Sequence, residues 1–399
     1  MSYTFTPGID PEAQTALDRV TSYDADKIER VLRGQIEKLG LADLFRNKRV
    51  AIKPNLVMKK SPDAAATTHP AVLEAMIRIL KDSAADIVIV ESPPGLYTES
   101  ALKGFYNACG ITPVAEKYGS RLNTDMTSRE VSLPDGVTAK GFELISPMLD
   151  ADVIVDLAKL KSHALTKFSG AVKNYYGTIP GLQKVETHAR FPDYGDFGSM
   201  LCDLCAYFAG NKPTFSVLDG IVAMEGNGPT GGEPKELGVL ISGINPFSVD
   251  TVGAHIAGID GVIMLDEAKR RSFTKDASEL HVISDKPLDT YVSTDFVMPE
   301  SAEKSGSSIH LLTTLCGGRI YKLIQPHPEI EKNKCVGCGA CARSCPKQTI
   351  EFRNQRGGGR YARINRSGCI ECYCCQELCP VKAVKIKKNP LFRLLNVRY

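Results

Sequence analysis

The sequence predicts an α/β protein: a mostly parallel sheet with helices on both faces, followed by a small α+β module. Two observations predict this organisation. Over roughly the first 330 of the 399 residues, apolar runs of strand length alternate with segments of helical period, as in βαβ units. The remaining residues are instead rich in cysteine, lysine and arginine. We therefore predict two domains, residues 1–325 and residues 326–399.

The predicted elements of the larger domain follow one another in a regular order. The first helix lies in "DADKIERVLRGQIEKLGL", where apolar residues recur at helical spacing from Ile28 to Leu39, and the strand "RVAI" follows it. The next helix is "HPAVLEAMIRILKDS", with Pro70 near its start, and the strand "DIVIVE" follows. The order continues with the helix "TESALKGFYNACG", the strand "ADVIVDLA", the helix "GSMLCDLCAYFAG", the strands "TFSVLDG" and "LGVLIS", and the helix "PFSVDTVGAHIAGI".

The pattern C-x-x-C-x-x-C-x-x-x-C-P occurs twice between Cys335 and Pro380. This spacing is typical of bacterial ferredoxins, in which the fourth cysteine of each run ligates the cluster of the other run. The module therefore resembles a bacterial two-cluster ferredoxin domain and is expected to hold two [4Fe-4S] clusters. The expected ligands are Cys335, Cys338, Cys341 and Cys379 for the first cluster, and Cys345, Cys369, Cys372 and Cys375 for the second.

Zinc binding and disulfide bonding are weaker interpretations of these eight cysteines. A structural zinc site usually has two cysteine pairs, whereas each run here has three evenly spaced cysteines and a fourth before proline. A disulfide framework needs an oxidising compartment, and the segment Met1–Ala13 lacks the basic start and apolar run of a secretory signal. We expect a cytoplasmic protein, and no apolar stretch is long enough to form a transmembrane segment.

Three of the remaining cysteines lie in patterns of their own. Cys374 lies beside the ligand Cys375 and is expected to be a small buried side chain, although a spare thiol there could replace a neighbouring ligand. Cys202 and Cys205 form a C-x-x-C within a helical pattern that contains no proline or glycine between them. Core packing is therefore expected for this pair rather than redox chemistry or metal binding.

The charge is distributed unevenly along the chain. Residues 331–399 contain fifteen Lys and Arg against four Asp and Glu, a net charge of +11, while residues 1–330 contain 34 against 42, a net charge of −8. A basic tail that follows a cluster module suits docking onto the acidic larger domain, or onto an acidic electron donor or acceptor such as a soluble ferredoxin or flavodoxin. Nucleic acid is not an expected partner, because no aromatic-interleaved basic motif accompanies the charge.

Polar side chains follow four of the predicted strands. The carboxyl ends of parallel strands lie at one edge of a sheet, where ligands bind, so these side chains are expected to converge. Lysine, histidine and asparagine suit the carboxylate or phosphate of a small anionic substrate, while carboxylates suit a metal or a general base. The candidate catalytic residues are Lys161, His163, Lys173, Asp219 and Glu225. The candidate cofactor-binding residues are Lys53, Asn55, Lys159, Asn174 and Asn227.

Some polar residues of the same regions have ordinary structural interpretations. Lysines after strands are usually solvated, His69 is expected to cap the helix that begins at Pro70, and His188 is expected to lie on a loop. The segment Lys159–Gly177 is the exception, because it concentrates polar side chains between a strand and a turn.

Two common cofactor motifs are absent from the sequence. The glycine-rich "EGNGPTGG" lacks the Lys and Ser/Thr of a Walker A motif, and no G-x-G-x-x-G follows a predicted strand. ATP hydrolysis and ordinary nicotinamide binding are therefore not predicted. A flavin stays an open alternative without a motif to support it.

The larger domain is similar to the DUF362 family over roughly residues 45–290. The resemblance lies in the segments "IKPNLV", "TTHP", "DLAKLKSHALTKFSGAVKNYYG", "LDGIVAMEGNGPTGG" and "NPFSVDTVGAHIAG". It implies a cytoplasmic bacterial or archaeal protein of this architecture, often with a two-cluster ferredoxin module, but no reaction, since the family is named for having no assigned function. The residues that match the family pattern are Lys53, Asn55, His69, Lys159, Lys161, His163, Lys173, Asn174, Asp219, Glu225, Asn227 and Asp250.

Three functions are compatible with these features. The first is an oxidoreductase in which the clusters pass electrons to a substrate or cofactor held at the strand-end crevice. The second is an electron-transfer subunit whose larger domain docks a partner enzyme and performs no chemistry. The third is a non-redox protein that handles a metal or cofactor and has structural or sensory clusters.

Overall fold

The computed structural model describes residues 9–301, 326–355 and 358–387. The predicted boundary between residues 325 and 326 lies at the end of segment 302–325, which is outside the described residues. Most of the basic tail, residues 388–399, is also outside them.

A nine-stranded sheet forms the centre of the larger domain, and a separate two-stranded hairpin lies beside it. The strands are β1 (Thr15–Arg19), β2 (Arg49–Pro54), β3 (Asp86–Ile89), β4 (Arg121–Leu122), β5 (Ser128–Ser132), β6 (Gly141–Ile145), β7 (Val153–His163), β8 (Lys167–Ser169), β9 (Thr214–Glu225), β10 (Glu233–Gly243) and β11 (Val282–Ile283). The sheet order is β11-β1-β10-β9-β7-β2-β3-β4, with β8 paired to β7, and β5 and β6 form the hairpin.

Ten α-helices lie in the described part of this domain, together with short 3₁₀ helices at Pro62–Ala64, Tyr175–Thr178, Ala277–Glu279 and Leu288–Tyr291. The α-helices are α1 (Ala25–Lys38), α2 (Pro70–Asp82), α3 (Glu99–Ala108), α4 (Ile111–Tyr118), α5 (Ser146–Leu149), α6 (Ala171–Asn174), α7 (Gln183–Arg190), α8 (Tyr194–Asn211), α9 (Pro246–Ile256) and α10 (Ile263–Arg270).

The sheet has a hydrophobic core on each face. Successive residues of a strand point to opposite faces, so Val153 and Val155 of β7 pack with α1 and α2, while Ile154 packs with α8 and α9. Cys202 and Cys205 lie fully buried in the second of these cores, as expected for packing residues. The predicted α/β class with helices on both faces is confirmed.

The central strands are parallel, as predicted, but two of them are longer than predicted. Strand β2 is parallel to β3 and β7, and β7 is parallel to β9. The strand predicted to end at Ala158 continues to His163, and the strand that begins at Thr214 continues to Glu225. The extension is possible because β7 pairs with both β8 and β9, which satisfies its backbone beyond the apolar run.

Other strands of the sheet are antiparallel. Strand β10 is antiparallel to both β9 and β1. The glycine-rich segment between β9 and β10 therefore forms the connection of a hairpin, rather than the start of a βαβ crossover.

The C-terminal module is a small α+β unit, as predicted. Its elements are β12 (His327–Ile330), α11 (Ala340–Arg343), β13 (Ile350–Asn354), β14 (Arg360–Ile364), α12 (Cys374–Glu377) and β15 (Val384–Lys387). Strand β12 pairs with β15, and β13 pairs with β14, both in antiparallel fashion. Each of the two helices begins within or beside a cysteine run.

No helix in the described part of the chain has both the length and the apolar character needed to cross a membrane.

The close approach of α9 to the start of α6 yields a test of the fold. The carboxylate of Asp250 accepts hydrogen bonds from the backbone N–H groups of Ala171 (2.6 Å) and Val172 (2.8 Å). A Cβ atom at Gly170 would lie 2.1 Å from Asp250 Oδ1. We predict that Gly170→Ala lowers the free energy of unfolding by about 1–3 kcal/mol, because this contact cannot form without a shift.

The measurement is urea denaturation, and Gly34→Ala in α1 is the matched control. No atom lies within 4 Å of a Cβ placed at Gly34, so this substitution should leave stability unchanged or raise it by about 0.5–1 kcal/mol. Equal midpoints for Gly170→Ala and the unsubstituted protein would contradict the packing described.

Candidate functional site

A cavity of about 760 Å³, the open solvent at its mouth included, lies at the carboxyl ends of the parallel strands. Its walls come from the residues after β2 and β3, from β7, from the segment that contains α6 and α7, and from α12 of the C-terminal module. Because both domains line it, we call it the interdomain cavity. Its position agrees with the strand-end crevice predicted for a parallel sheet.

One buried ion pair forms part of the cavity wall. Lys53 Nζ lies 2.8 Å from Glu91 Oε1, and both side chains are almost fully buried. Glu91 also accepts hydrogen bonds from the backbone N–H groups of Leu56 (2.9 Å) and Ser92 (2.8 Å). This pair is well satisfied, which is the condition for a buried ion pair to be stable.

Asn174 of α6 connects this pair to the strands. Its side-chain amide donates to Asp156 Oδ1 at 2.6 Å and to the carbonyl of Lys53 at 3.0 Å, and its oxygen accepts from Asn55 Nδ2 at 3.0 Å. Burial raises the pKa of Asp156 to about 7. Asn174 therefore positions α6 against β2 and β7 and orients the amide of Asn55.

Three further lysines line the cavity. Among the described residues, no carboxylate oxygen lies within 4.0 Å of their amines. Lys161 donates to the carbonyl of Ala66 (2.8 Å) and to Asn55 Oδ1, and Lys184 donates to the carbonyls of Ser92 (2.7 Å) and Ile179. These neutral acceptors satisfy donors but do not neutralise charge.

Lys173 differs from the other two. Its Nζ lies 5.6 Å from the centre of the Tyr176 ring and makes no hydrogen bond to a described residue. Burial lowers the pKa of Lys173, lowers the pKa of Lys161 well below its usual value, and lowers the pKa of Lys184 to about 7. The cavity therefore has amines that lack compensating negative charge.

A histidine and a glutamate meet where the two domains join. His163 Nε2 lies 3.2 Å from Glu377 Oε1, but neither buried atom has a well-directed hydrogen bond in the described chain. The Nδ1 atom of His163 accepts from the backbone N–H of Leu165 at 3.0 Å, which places the ring proton on Nε2. Burial lowers the pKa of His163 and raises the pKa of Glu377, so both groups favour their neutral forms.

The C-terminal module contacts the larger domain mainly through α12. Thr230 Oγ1 donates to the carbonyl of Glu377 at 2.7 Å, and Gln376 Nε2 donates to the carbonyl of Asn227 at 3.2 Å. Tyr373 packs against Ala164 in a small apolar cluster. These contacts hold α12 over the edge of the sheet, where it closes one side of the cavity.

Two smaller cavities in the module are lined by the two predicted sets of cluster ligands. One, of about 330 Å³, is lined by Cys335, Cys338, Cys341 and Cys379. The other, of about 320 Å³, is lined by Cys345, Cys369, Cys372 and Cys375, together with Cys374.

Backbone N–H groups are directed at the cysteine sulfurs of both sets. In the first set, Ala383 N donates to Cys379 Sγ at 3.1 Å, and in the second, Thr349 N donates to Cys345 Sγ at 3.3 Å. Such donors favour thiolate over thiol. The residues present therefore fit [4Fe-4S] clusters, which supply one-electron transfer when bound.

Cys374 is buried and lines two cavities at once. This residue lines the cavity of the second set of cysteines and also the interdomain cavity. The expectation of a small buried side chain is confirmed, but its place in a shared wall could not be read from the sequence.

The structure brings together half of the candidate catalytic and cofactor-binding residues. Those that line the interdomain cavity are Lys53, Asn55, Lys161, Lys173 and Asn174. His163 lies just behind the wall and contacts Glu377, which lines the cavity.

The other four candidates lie outside the cavity. Lys159 and Asp219 form a buried ion pair at 2.9 Å, and the hydroxyl of Tyr23 joins them at 2.6 Å and 2.9 Å. Glu225 accepts from the backbone N–H of Val297, and the side chain of Asn227 accepts from that of Glu300.

The position of these four residues outside the cavity has physical reasons. Because β7 and β9 extend further than predicted, Lys159 and Asp219 lie within paired strands and neutralise one another below the edge of the sheet. Glu225 and Asn227 hold the loop near residues 297–300, so their oxygens already have partners there.

Some cavity residues were not candidates in the sequence. The expectation that His188 lies on a loop is wrong, because it lies in α7. There it is buried and stacks on Phe197 with ring centres 4.4 Å apart. Lys184 lies one turn before it on the same face of α7. Their four-residue spacing was the available signal. His69 does cap α2, as expected, because its Nδ1 accepts from the backbone N–H of Ala71 at 3.1 Å.

The buried pair of Lys159 and Asp219 yields a prediction about stability. Lys159→Met should lower the free energy of unfolding by about 3–5 kcal/mol, because it leaves the Asp219 carboxylate buried without its counter-charge. The double variant Lys159→Met/Asp219→Leu should recover much of this loss. Urea denaturation measures both effects.

A matched control is available on the surface. Lys103 forms an exposed ion pair with Glu99 at 2.7 Å, so Lys103→Met should change stability by less than about 1 kcal/mol. Equal effects of Lys159→Met and Lys103→Met would contradict the buried network.

Comparisons with known proteins agree with this architecture. The family model described as "Domain of unknown function (DUF362)" matches residues 50–255, and the "4Fe-4S dicluster domain" model matches residues 334–383. The chain is 32% identical over 253 residues to the thylakoid-associated protein sll1697 of Synechocystis sp., covering 61% of this chain and 74% of that protein.

Two solved structures are similar to part of the chain. One is the lactate racemase apoprotein of Thermoanaerobacterium thermosaccharolyticum, with 17% identity, a TM-score of 0.33, and coverage of 51% of this chain and 50% of that one. The other is a Thermotoga maritima protein, with 14% identity, a TM-score of 0.37, and coverage of 65% and 60%. The chain thus spans one half to three fifths of these two chains. The family match covers the strands and loops that build the interdomain cavity, and the chain belongs to the DUF362 family and carries a ferredoxin-type 4Fe-4S domain.

Proposed function

We propose that this protein is an iron–sulfur oxidoreductase that passes electrons through two [4Fe-4S] clusters to a substrate or cofactor in the interdomain cavity. The observation that carries the proposal is the position of Cys374, a residue that lines both the interdomain cavity and the cavity of the second set of cysteines. A ligand in the interdomain cavity would lie across one residue from that cluster site. This short separation favours electron exchange within the protein over use of the larger domain as a docking subunit alone.

The two cluster sites differ in their access to solvent. In the first set Cys338 is exposed, and the neighbouring Val336 is 65% exposed. The second set lies next to α12 and the interdomain cavity. We therefore propose that electrons enter or leave the protein at the first site and reach the cavity through the second.

The charge of the module supports a particular class of partner. Residues 331–399 have a net charge of +11, so an acidic redox protein such as a soluble ferredoxin or a flavodoxin is the proposed electron donor or acceptor. Partners of this kind fit the cytoplasmic location that we propose.

The chain's own residues would support the chemistry in two ways. The amines of Lys161 and Lys173 would offset negative charge that a ligand gains on reduction. His163 holds a proton on Nε2 beside Glu377, which lines the cavity, so it is placed to exchange a proton with a bound ligand through Glu377.

The number of clusters can be tested by iron analysis. Anaerobically reconstituted protein should contain about eight irons per chain, and either Cys338→Ser or Cys375→Ser should lower this to about four while the other cluster's EPR signal persists. Cys109→Ser is the control, because Cys109 is buried in the larger domain, away from both cluster sites. Substantially fewer than eight irons in the unsubstituted protein would contradict the two-cluster proposal.

The function itself can be tested by turnover. Protein reduced beforehand would be mixed with a panel of small organic oxidants, and reoxidation of the clusters would be followed by absorbance. We expect at least one oxidant to reoxidise the protein at least tenfold faster than it reoxidises Lys161→Met, with equal iron content in both proteins. The same rate in Lys161→Met and in the unsubstituted protein for every oxidant would favour the electron-transfer subunit instead.

A further inference from the structure

The inference below rests on the proposed function and concerns the ligand of the same cavity. Four lysine amines and two carboxylates line the interdomain cavity. Lys53 and Glu91 neutralise one another at 2.8 Å, which leaves Lys161, Lys173 and Lys184 against Glu377 alone. If all these groups are ionised, the unpaired set has an excess of two positive charges. An excess of this kind within a protein is unfavourable, and it is relieved either by loss of protons from the amines or by a bound anion.

The position of the excess charge is also defined. Lys161 and Lys173 both line the cavity, and so do Glu377 and Cys374. Repulsion by Lys173 is one of the causes that lower the pKa of Lys161, while Glu377 partly offsets the effect of burial on the pKa of Lys173. Lys173 therefore shares the cavity with Cys374, which also lines the second cluster site.

The remaining walls are largely apolar. Leu56 and Val57 follow β2, Pro93 and Pro94 follow β3, and Val185 lies on α7. An inorganic ion held by the lysines would leave these apolar walls without a partner. A ligand that fits both regions has an anionic group and an apolar body.

We propose that the interdomain cavity binds a small organic anion, a carboxylate or a phosphate ester, whose charged oxygens contact Lys161 and Lys173 and whose apolar body packs against the residues after β2 and β3. The ligand is thereby oriented with its charged end toward Cys374 and the second cluster site. Both carboxylate and phosphate present the oxygens that lysine binds, and the two are separated by experiment.

The same arrangement predicts how binding depends on pH. The charged and titratable groups that face Lys173 are Lys53, Lys161, Lys184, His163, His188, Glu91, Glu377 and the thiol of Cys374. Burial lowers the pKa values of the three unpaired lysines in the free protein, that of Lys184 to about 7, and a bound anion would raise them again. Binding is therefore accompanied by proton uptake, and affinity falls as the pH rises.

The test is isothermal titration calorimetry of the anaerobic holoprotein with benzoate, phenyl phosphate and the neutral benzamide. We expect at least one of the two anions to bind at least tenfold more tightly than benzamide. Benzoate remains ionised throughout the range used, so its affinity, if it is the anion that binds, should fall about tenfold or more between about pH 6 and about pH 8 through the lysines. Binding of only one anion identifies the charged group and supports the proposal.

A matched pair of variants isolates the lysine. Lys173→Met replaces the amine with an apolar chain of similar length and should weaken binding of the anion at least tenfold, without changing the affinity of benzamide. Lys81→Met removes an exposed lysine at the end of α2 and should change neither affinity. If Lys173→Met does not fold, proton uptake measured in buffers of different ionisation enthalpy provides the same test on the unsubstituted protein.

Three results would overturn the inference: no binding of either anion, binding of neither anion more tightly than benzamide, or anion binding without proton uptake. These results are separable from failure of the proposed function. Anion binding without any cavity-dependent reoxidation of the clusters would contradict only the proposed function. Cavity-dependent reoxidation by neutral oxidants alone would contradict only the inference drawn here.

Discussion

The burial of lysine amines at the carboxyl edge of the sheet is the interaction on which the site depends. A buried ammonium needs hydrogen-bond acceptors and a counter-charge. Lys53 has both, because Glu91 and the carbonyl of Pro54 surround it, each at 2.8 Å. Lys161 and Lys184 have acceptors but no counter-charge within 4.0 Å among the described residues. This difference separates residues that complete the fold from residues that are left available for a ligand.

The C-terminal module closes one side of the cavity at this edge. Helix α12 lies over the edge and contributes Glu377 and Cys374 to the cavity wall, while the cysteines around it line the proposed second cluster site. One short helix therefore belongs to both halves of the proposed electron path. The two domains have opposite net charges, which favours their association. Their specific contacts include the neutral hydrogen bond from Thr230 to the carbonyl of Glu377 and an ion pair between Lys382 and Glu233 at 3.6 Å.

The features that could be predicted from the sequence are those with a local cause. Cluster ligation requires a fixed spacing, so the cysteine runs predict their own grouping, and apolar periodicity predicts the main helices and strands. The end of β7 could not be predicted in this way. Lys159 and Lys161 interrupt the apolar pattern, yet they remain in the strand. Their amines donate hydrogen bonds to residues far away in sequence, Lys159 to Asp219 and Lys161 to Asn55.

Other parts of the site depend on contacts that no local pattern encodes. Helix α7 has few apolar residues, so it appeared to be a loop, and the burial of His188 depends on its stacking on Phe197 of α8. The docking of α12 joins residues about 150 positions apart, such as Thr230 and Glu377. Because of this docking, Cys374 lines both the interdomain cavity and the cavity of the second set of cysteines. This arrangement follows only from the tertiary structure.

The central claim is that the second cluster lies beside the interdomain cavity. Diffraction from anaerobic crystals at the iron absorption edge tests it most directly, because the anomalous signal locates each cluster. The account predicts two iron sites, one of them enclosed by Cys345, Cys369, Cys372 and Cys375 and separated from the cavity only by Cys374. A single iron site, or a second cluster separated from Lys161 and Lys173 by packed protein, would contradict it.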